Sequence, residues 1–126
     1  MELLNQEVCE AFLRRFYNFY DGVVRSVRID FESTPSTCSV VVDARDADSA
    51  SGWSRIEFVV HEVGAFRFDA GRTTFEVLSS GIQVGWVNGQ LLLVLDAYPD
   101  DVDFPDLATN RAHVAGASCS WAATRL

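Results

Sequence analysis

The chain contains no lysine; all ten of its basic residues are arginine. Arginine-only basicity is as much a mark of genome composition as of function. Long apolar runs are missing too. None approaches the roughly 18 residues that span a bilayer, so a membrane helix is not expected. The opening MELLNQEVCE is acidic and polar, where a secretory signal has a basic start and an apolar stretch, so export is not expected. Cysteine is scarce and odd in number. Cys9, Cys38 and Cys119 form no CxxC pair, which removes the spacing that zinc sites and disulfide frameworks use. They read as reduced thiols of a cytoplasmic protein, packed as small apolar side chains.

Positive charge is missing altogether from residues 73–110. That span holds six acids (Glu76, Asp96, Asp100, Asp101, Asp103, Asp106) and no base, in a chain of net charge −8. Such a surface repels phosphate, so nucleic acid and anionic membrane are not expected as partners. A basic protein partner would be attracted.

What is present is the composition of a folded domain. At 126 residues, 48% hydrophobic and 22% charged, the chain is long enough to bury a core and is expected to form a single domain. Leu4, Val8, Phe12 and Phe16 recur every four positions, with Leu3, Ala11 and Phe19 widening the stripe. This spacing predicts a helix over 1–21, stopped by Asp21-Gly22.

From residue 22 the period becomes two. In VVRSVRIDFE, Val23, Arg25, Val27, Ile29 and Phe31 fall on one side and Val24, Ser26, Arg28, Asp30 and Glu32 on the other, the pattern of a strand with one wet face. CSVVVDAR and WSRIEFVVHEV repeat it. Gly64 interrupts before AFRFDAG, and Ser79–Gly81 separates FEVL from GIQVGWV. Asn88-Gly89 is the clearest hairpin signal, because a type I′ turn needs positive φ at both central residues. RAHVAGASCSWAAT reads as one last strand. No helical pattern separates the strands, which excludes βαβ units. The expected class is α+β: an N-terminal helix packed on a curved, mainly antiparallel sheet of about seven or eight strands over 22–126, with Phe12, Phe16 and Phe19 in the concavity.

The catalytic motifs fail on spacing. His61-Glu62 begins like a zinc-protease motif, but Ala65 stands where the second histidine belongs. His113 and Cys119 lie six apart on one expected strand, about 20 Å along it, so they cannot form a nucleophile pair. No serine sits in a GxSxG elbow. The glycines of GWVNG and GRTTFE match neither phosphate-binding spacing. No cofactor or metal is expected.

One stretch stands out. DAYPDDVDFPD, residues 96–106, holds five aspartates among two aromatics and two prolines. Asp101, Asp103 and Asp106 superficially resemble a calcium loop, but Pro105 occupies a ligand position, and the sharp-turn glycine and terminal glutamate are missing. Two readings remain. One is a solvated connection between strands. The other is a contact surface of Asp96, Tyr98, Asp100, Asp101, Asp103, Phe104 and Asp106, with the aromatics as anchors. A competing small-ligand or enzymatic reading places Trp53, His61, Glu62, Trp86 and Trp121 around the concave side of the sheet.

The succession WSRIEFVVHEVGAFRF, VLSSGIQVGWVNGQLLLVLDA, an acidic loop and AHVAGASCSW, over residues 53–122, resembles small stand-alone bacterial proteins, some of the polymorphic-toxin immunity type. The resemblance carries no catalytic residue. It implies a cytoplasmic protein that neutralises a toxin by binding it, acidic because the toxin's active site is basic. The expectation is a non-enzymatic binding module. Small-ligand binding or modest catalysis, and self-association through an uncovered strand edge, are the alternatives.

Overall fold

A computed structural model describes residues 1–69, 76–96 and 112–126. Among them one α-helix and ten strands alternate in the order β1 (Glu2–Leu4), α1 (Gln6–Arg15), a single 3-10 turn (Tyr17–Phe19), β2 (Gly22–Asp30), β3 (Thr37–Arg45), β4 (Trp53–His61), β5 (Ala65–Phe68), β6 (Val77–Leu78), β7 (Ile82–Val87), β8 (Gln90–Leu95), β9 (Ala112–Gly116) and β10 (Ser118–Arg125). Every strand pairing is antiparallel. The mostly antiparallel α+β class holds. The single sheet does not: there are two, ordered β1-β10-β4-β3-β2-β6 and β5-β9-β8-β7.

The division comes from two sharp bends. β4 and β10 pair in the larger sheet, while their continuations β5 and β9 pair in the smaller one. One side turns at Glu62, whose φ is 52°, and at Gly64, whose N–H donates to the Ala115 carbonyl. The other turns at Gly116-Ala117, where the Ala117 N–H donates to the His61 carbonyl. A Cβ on Gly116 would stand 2.5 Å from that carbonyl oxygen and 2.6 Å from Val60 Cγ1. Only glycine lets the two backbones cross here. The expected last strand over RAHVAGASCSWAAT is therefore two strands in two sheets, and the distance argued for His113 and Cys119 along one strand lapses.

The helix is shorter than the apolar spacing implies. Leu4 belongs to the stripe, yet it pairs with Cys119 as a strand residue, because the β10 edge offers backbone partners that a helix end lacks. Asn5 caps α1, its Oδ1 accepting from Val8 N–H at 3.1 Å. Past Arg15 the chain leaves the helix, with φ of 54°, 54° and 61° at Tyr17, Asn18 and Phe19. Such left-handed conformations cost about 1–2 kcal/mol each for side chains with a Cβ. The offset is burial. Phe12, Phe16 and Phe19 are all buried; Phe12 meets Phe58 of β4 at 5.8 Å and Trp121 of β10 at 4.8 Å, and Phe19 meets Phe58 at 5.4 Å. Aromatic pairs at these separations add to the area they bury.

β2 breaks its own alternation. A β-bulge between Val24 and Ser26 places Val24 beside Val42, Val27 beside Val40 and Ile29 beside Cys38, all facing the buried row of β3. Arg25 thus escapes the apolar side to which a strict period of two assigns it, since the extra residue resets the parity. The Asn88-Gly89 hairpin forms as expected, with φ of 51° and 78°, joining β7 to β8.

Two local contacts yield measurable consequences. Gly81 has φ +70°, and a Cβ there would collide with the Asn18 carbonyl. Gly81→Ala is expected to cost about 2 kcal/mol or more, read as a lowered midpoint in urea. Arg15 makes two hydrogen bonds to Asp46, of 2.9 and 3.1 Å, and its guanidinium lies 4.7 Å from the Phe16 ring. Ser54 Oγ donates to the same carboxylate at 2.6 Å. The Arg15 hydrogen bonds foremost, with help from Ser54, hold Asp46 down at a pKa of about 2. A depressed carboxylate stabilises the fold above its unfolded pKa of about 3.9 and loses that contribution as pH falls through the folded value. Asp46→Asn should therefore cost roughly 2 kcal/mol at pH 7, with the gap from the parent closing between about pH 4 and pH 2, as acid titrations followed by circular dichroism will read.

Candidate functional site

The larger sheet has two unlike faces. Its inner face carries Cys38, Val40, Val42 and Ala44 of β3 and Ile56, Phe58 and Val60 of β4, all fully buried. The alternate residues point the other way; most are polar (Thr37, Ser39, Arg45, Arg55, Glu57, His61), and all but the buried Asp43 are only partly covered or exposed. The register aligns them in rows. Asp30, Thr37, His61 and Ser118 form one; Arg28, Ser39, Val59 and Ser120 the next; Ser26, Val41, Glu57 and Ala122 a third. Small residues between long ones leave a groove of about 370 Å³ across β2, β3 and β4. Ser26, Thr37 and Ser39 are its small lining residues, and Arg28, Asp30 and Glu57 supply the charge.

Both carboxylates in the groove have a local anchor. Ser39 Oγ donates to Glu57 Oε2 at 2.8 Å. Asp30 Oδ1 accepts the backbone N–H groups of Glu32 and Ser33 at 2.9 and 3.3 Å. Those N–H groups, with Arg28 contributing at the end, lower the Asp30 pKa, so the carboxylate is charged and oriented. Beyond the groove, Asp43 lies buried under two arginines: Arg25 Nε at 2.6 Å and Arg55 Nε at 2.7 Å. The Arg55 hydrogen bonds chiefly, then those of Arg25, lower its pKa against the opposing effect of burial. At the opposite end His61 Nε2 and Ser120 Oγ are 3.1 Å apart.

The residues expected to form a site fall out differently. Tyr98, Asp100, Asp101, Asp103, Phe104 and Asp106 lie outside the described residues. Asp96 is described and has an internal role: with φ 54°, its Oδ1 accepts the Ser80 N–H at 2.8 Å, tying the end of β8 to the turn before β7.

The five proposed pocket residues are not brought together. Trp121 packs inward on Phe12 and Phe16, and Trp86 packs against the core. Trp53 and His61 share the outer face but stand at opposite ends of β4, separated by about 26 Å at the rise of a strand. Glu62 is exposed in the bend. The groove instead draws on residues that the sequence assigns simply to a wet side. The available signal was that β2, β3 and β4 each alternate, so their polar sides coincide.

The thiols are the remaining reactive groups. All three are buried and free, and register puts Cys38 and Cys119 on either side of Val60. Burial raises Cys9, pushes Cys38 up to about 11 and, with minor help from its neighbouring thiols, Cys119 up to about 12. His113 is buried on β9, and burial first, then Arg67, lowers its pKa. Among the described residues no three His, Cys, Asp or Glu side chains gather as metal ligands, and no helix is long and apolar enough to cross a membrane. Compared with known proteins, the chain matches no family model, no curated protein and no solved structure.

Thiolate, not thiol, is the nucleophile. At pH 8 the folded protein should leave all three cysteines unmodified by a chromogenic disulfide reagent, and guanidinium should release three equivalents. A thiol that reacts at the rate of free cysteine in the folded state would contradict this assignment.

Proposed function

We propose that this chain is a non-enzymatic binding module for a basic protein partner. The observation that carries this reading is the fate of the positive charge. Arg14, Arg15, Arg25, Arg45, Arg55 and Arg67 each pair with a carboxylate of the chain itself. Most of the arginine is thereby spent on internal pairs, while Glu2, Glu7, Glu32, Glu62 and Glu76 are exposed. With the chain at −8, its outward field is negative and attracts a cationic protein over several ångströms.

The chemistry of the described side chains favours binding over catalysis. The thiols are held neutral. The Ser120–His61 pair lies on an open sheet face, and no carboxylate among the described residues hydrogen-bonds the other ring nitrogen of His61, as a nucleophilic triad requires. If the partner is a toxin, as the resemblance over residues 53–122 implies, the cytoplasm is where the two would meet, and the acidic surface would oppose the toxin's basic site. The groove on the outer face favours a second reading, in which a small polar ligand fills it.

The stretch 96–106 serves this function as a steering element: five aspartates in eleven residues raise the encounter rate without fixing the docked pose. Stopped-flow mixing with a toxin-like protein encoded beside this chain tests it. The triple variant Asp100→Asn, Asp101→Asn, Asp103→Asn should associate several-fold more slowly at low salt, and the difference should vanish as salt screens the field. Absence of binding at any salt concentration rejects the module reading.

A further inference from the structure

β2 is paired on both sides for only a fraction of its length. β3 lies along one edge from Val23 to Asp30. On the other edge β6 takes just Gly22 and Val23, and the Val24 N–H donates to the Glu76 carbonyl. From the bulge at Val24–Ser26 onward to Asp30, no strand among the described residues pairs with that outer edge. A row of unpaired backbone N–H and C=O groups is a template for one more strand. The residue that follows is left open as well. Phe31 is 71% exposed and meets Phe66, itself 44% exposed, at 6.3 Å. Two touching aromatics in water are apolar surface that association would remove.

We infer that two copies of this chain join through the outer edge of β2, antiparallel, with Ile29 opposite Ile29 of the second copy. Charge complementarity selects a second copy as the occupant, because this edge matches itself. With Ile29 on the two-fold axis, Arg28 of each copy stands opposite Asp30 of the other. Opposite charges placed so across antiparallel strands stabilise the pairing, and like charges destabilise it. Moving the centre by one residue would set Arg28 or Asp30 against its own counterpart. The apolar face agrees with the same register. Val27 and Ile29 lie beside the buried Val40 and Cys38, so they belong to the inner side of the sheet, and Val27 of one copy comes opposite Phe31 of the other. Asp30 is already oriented by the N–H groups of Glu32 and Ser33, which limits the ordering that association must impose. The contact is isologous, so every pair occurs twice and the assembly closes at two. This inference is independent of the basic-partner reading, and either can fail alone.

Light scattering on the full chain tests it, from micromolar to millimolar protein in about 0.15 M salt, where the mutual repulsion of two acidic chains is screened. The mass should rise with concentration toward twice the 14.0 kDa of one chain. Arg28→Asp and Asp30→Arg each place two pairs of like charges across the axis, and each should weaken association by about tenfold or more. An equimolar mixture of the two variants restores both opposite-charge pairs and should recover the dimer. Phe31→Ala, at an exposed position, should weaken association several-fold. Thermal melting checks that the variants are folded. If Asp30→Arg melts early, having given up its hydrogen bonds to Glu32 and Ser33, Arg28→Asp and Phe31→Ala still decide the outcome. A chain that stays monomeric throughout the range would overturn the inference. So would a dimer indifferent to Arg28→Asp and Phe31→Ala, or a mixture of two folded charge variants that remains monomeric.

Discussion

One ladder serves two sheets, and the architecture follows from that constraint. β4 and β10 pair along their length in the larger sheet, then turn together at Glu62–Gly64 and Gly116–Ala117 to become β5 and β9 of the smaller one. Strands that change sheets in this way form the corner of a packed pair of sheets. The turn needs a residue without a side chain where β9 crosses β4, and Gly116 supplies it. Because the sheets meet at that corner, buried residues of both contribute to one core: Val40, Phe58 and Val60 from one, Leu91, Leu93 and Val114 from the other.

The aromatic residues after Asn5 complete that core. Phe12 and Phe19 close on Phe58, and Phe12 and Phe16 on Trp121. Arg15 then covers the rim, stacked near Phe16 and Trp121 while bonded to Asp46. A guanidinium can do both at once because its plane meets a ring face while its edge donates to a carboxylate. The left-handed Tyr17–Phe19 turn persists because straightening it would withdraw Phe19 from this cluster.

With the inner face of the six-stranded sheet committed to packing, its outer face carries the polar rows. The six-stranded sheet leaves one side in water, as antiparallel sheets can, and most arginines on the surface are neutralised by their own carboxylates. The result is an acidic exterior with one textured region, where small hydroxyl residues between Arg28, Asp30 and Glu57 form a groove.

Local pattern carried a large share of this in advance. The class, the antiparallel pairing, the Asn88-Gly89 hairpin and the inward turn of Phe12, Phe16 and Phe19 follow from spacing and turn chemistry, which act between residues near in sequence. The helix limits did not, because Leu4 fits a helical stripe and a strand equally well, and only the β10 edge decides between them. Arg25 was misassigned because a bulge shifts parity without altering composition. The split of the last strand into β9 and β10 was hidden for a related reason: Gly116 looks like any small residue until the backbone crossing it becomes visible. The candidate site was the least legible. Trp53, His61, Glu62, Trp86 and Trp121 were grouped by chemical type, whereas the groove was assembled by lateral register among three strands. Alternation along a chain determines which side of a strand is wet; only the pairing of strands decides which wet residues become neighbours.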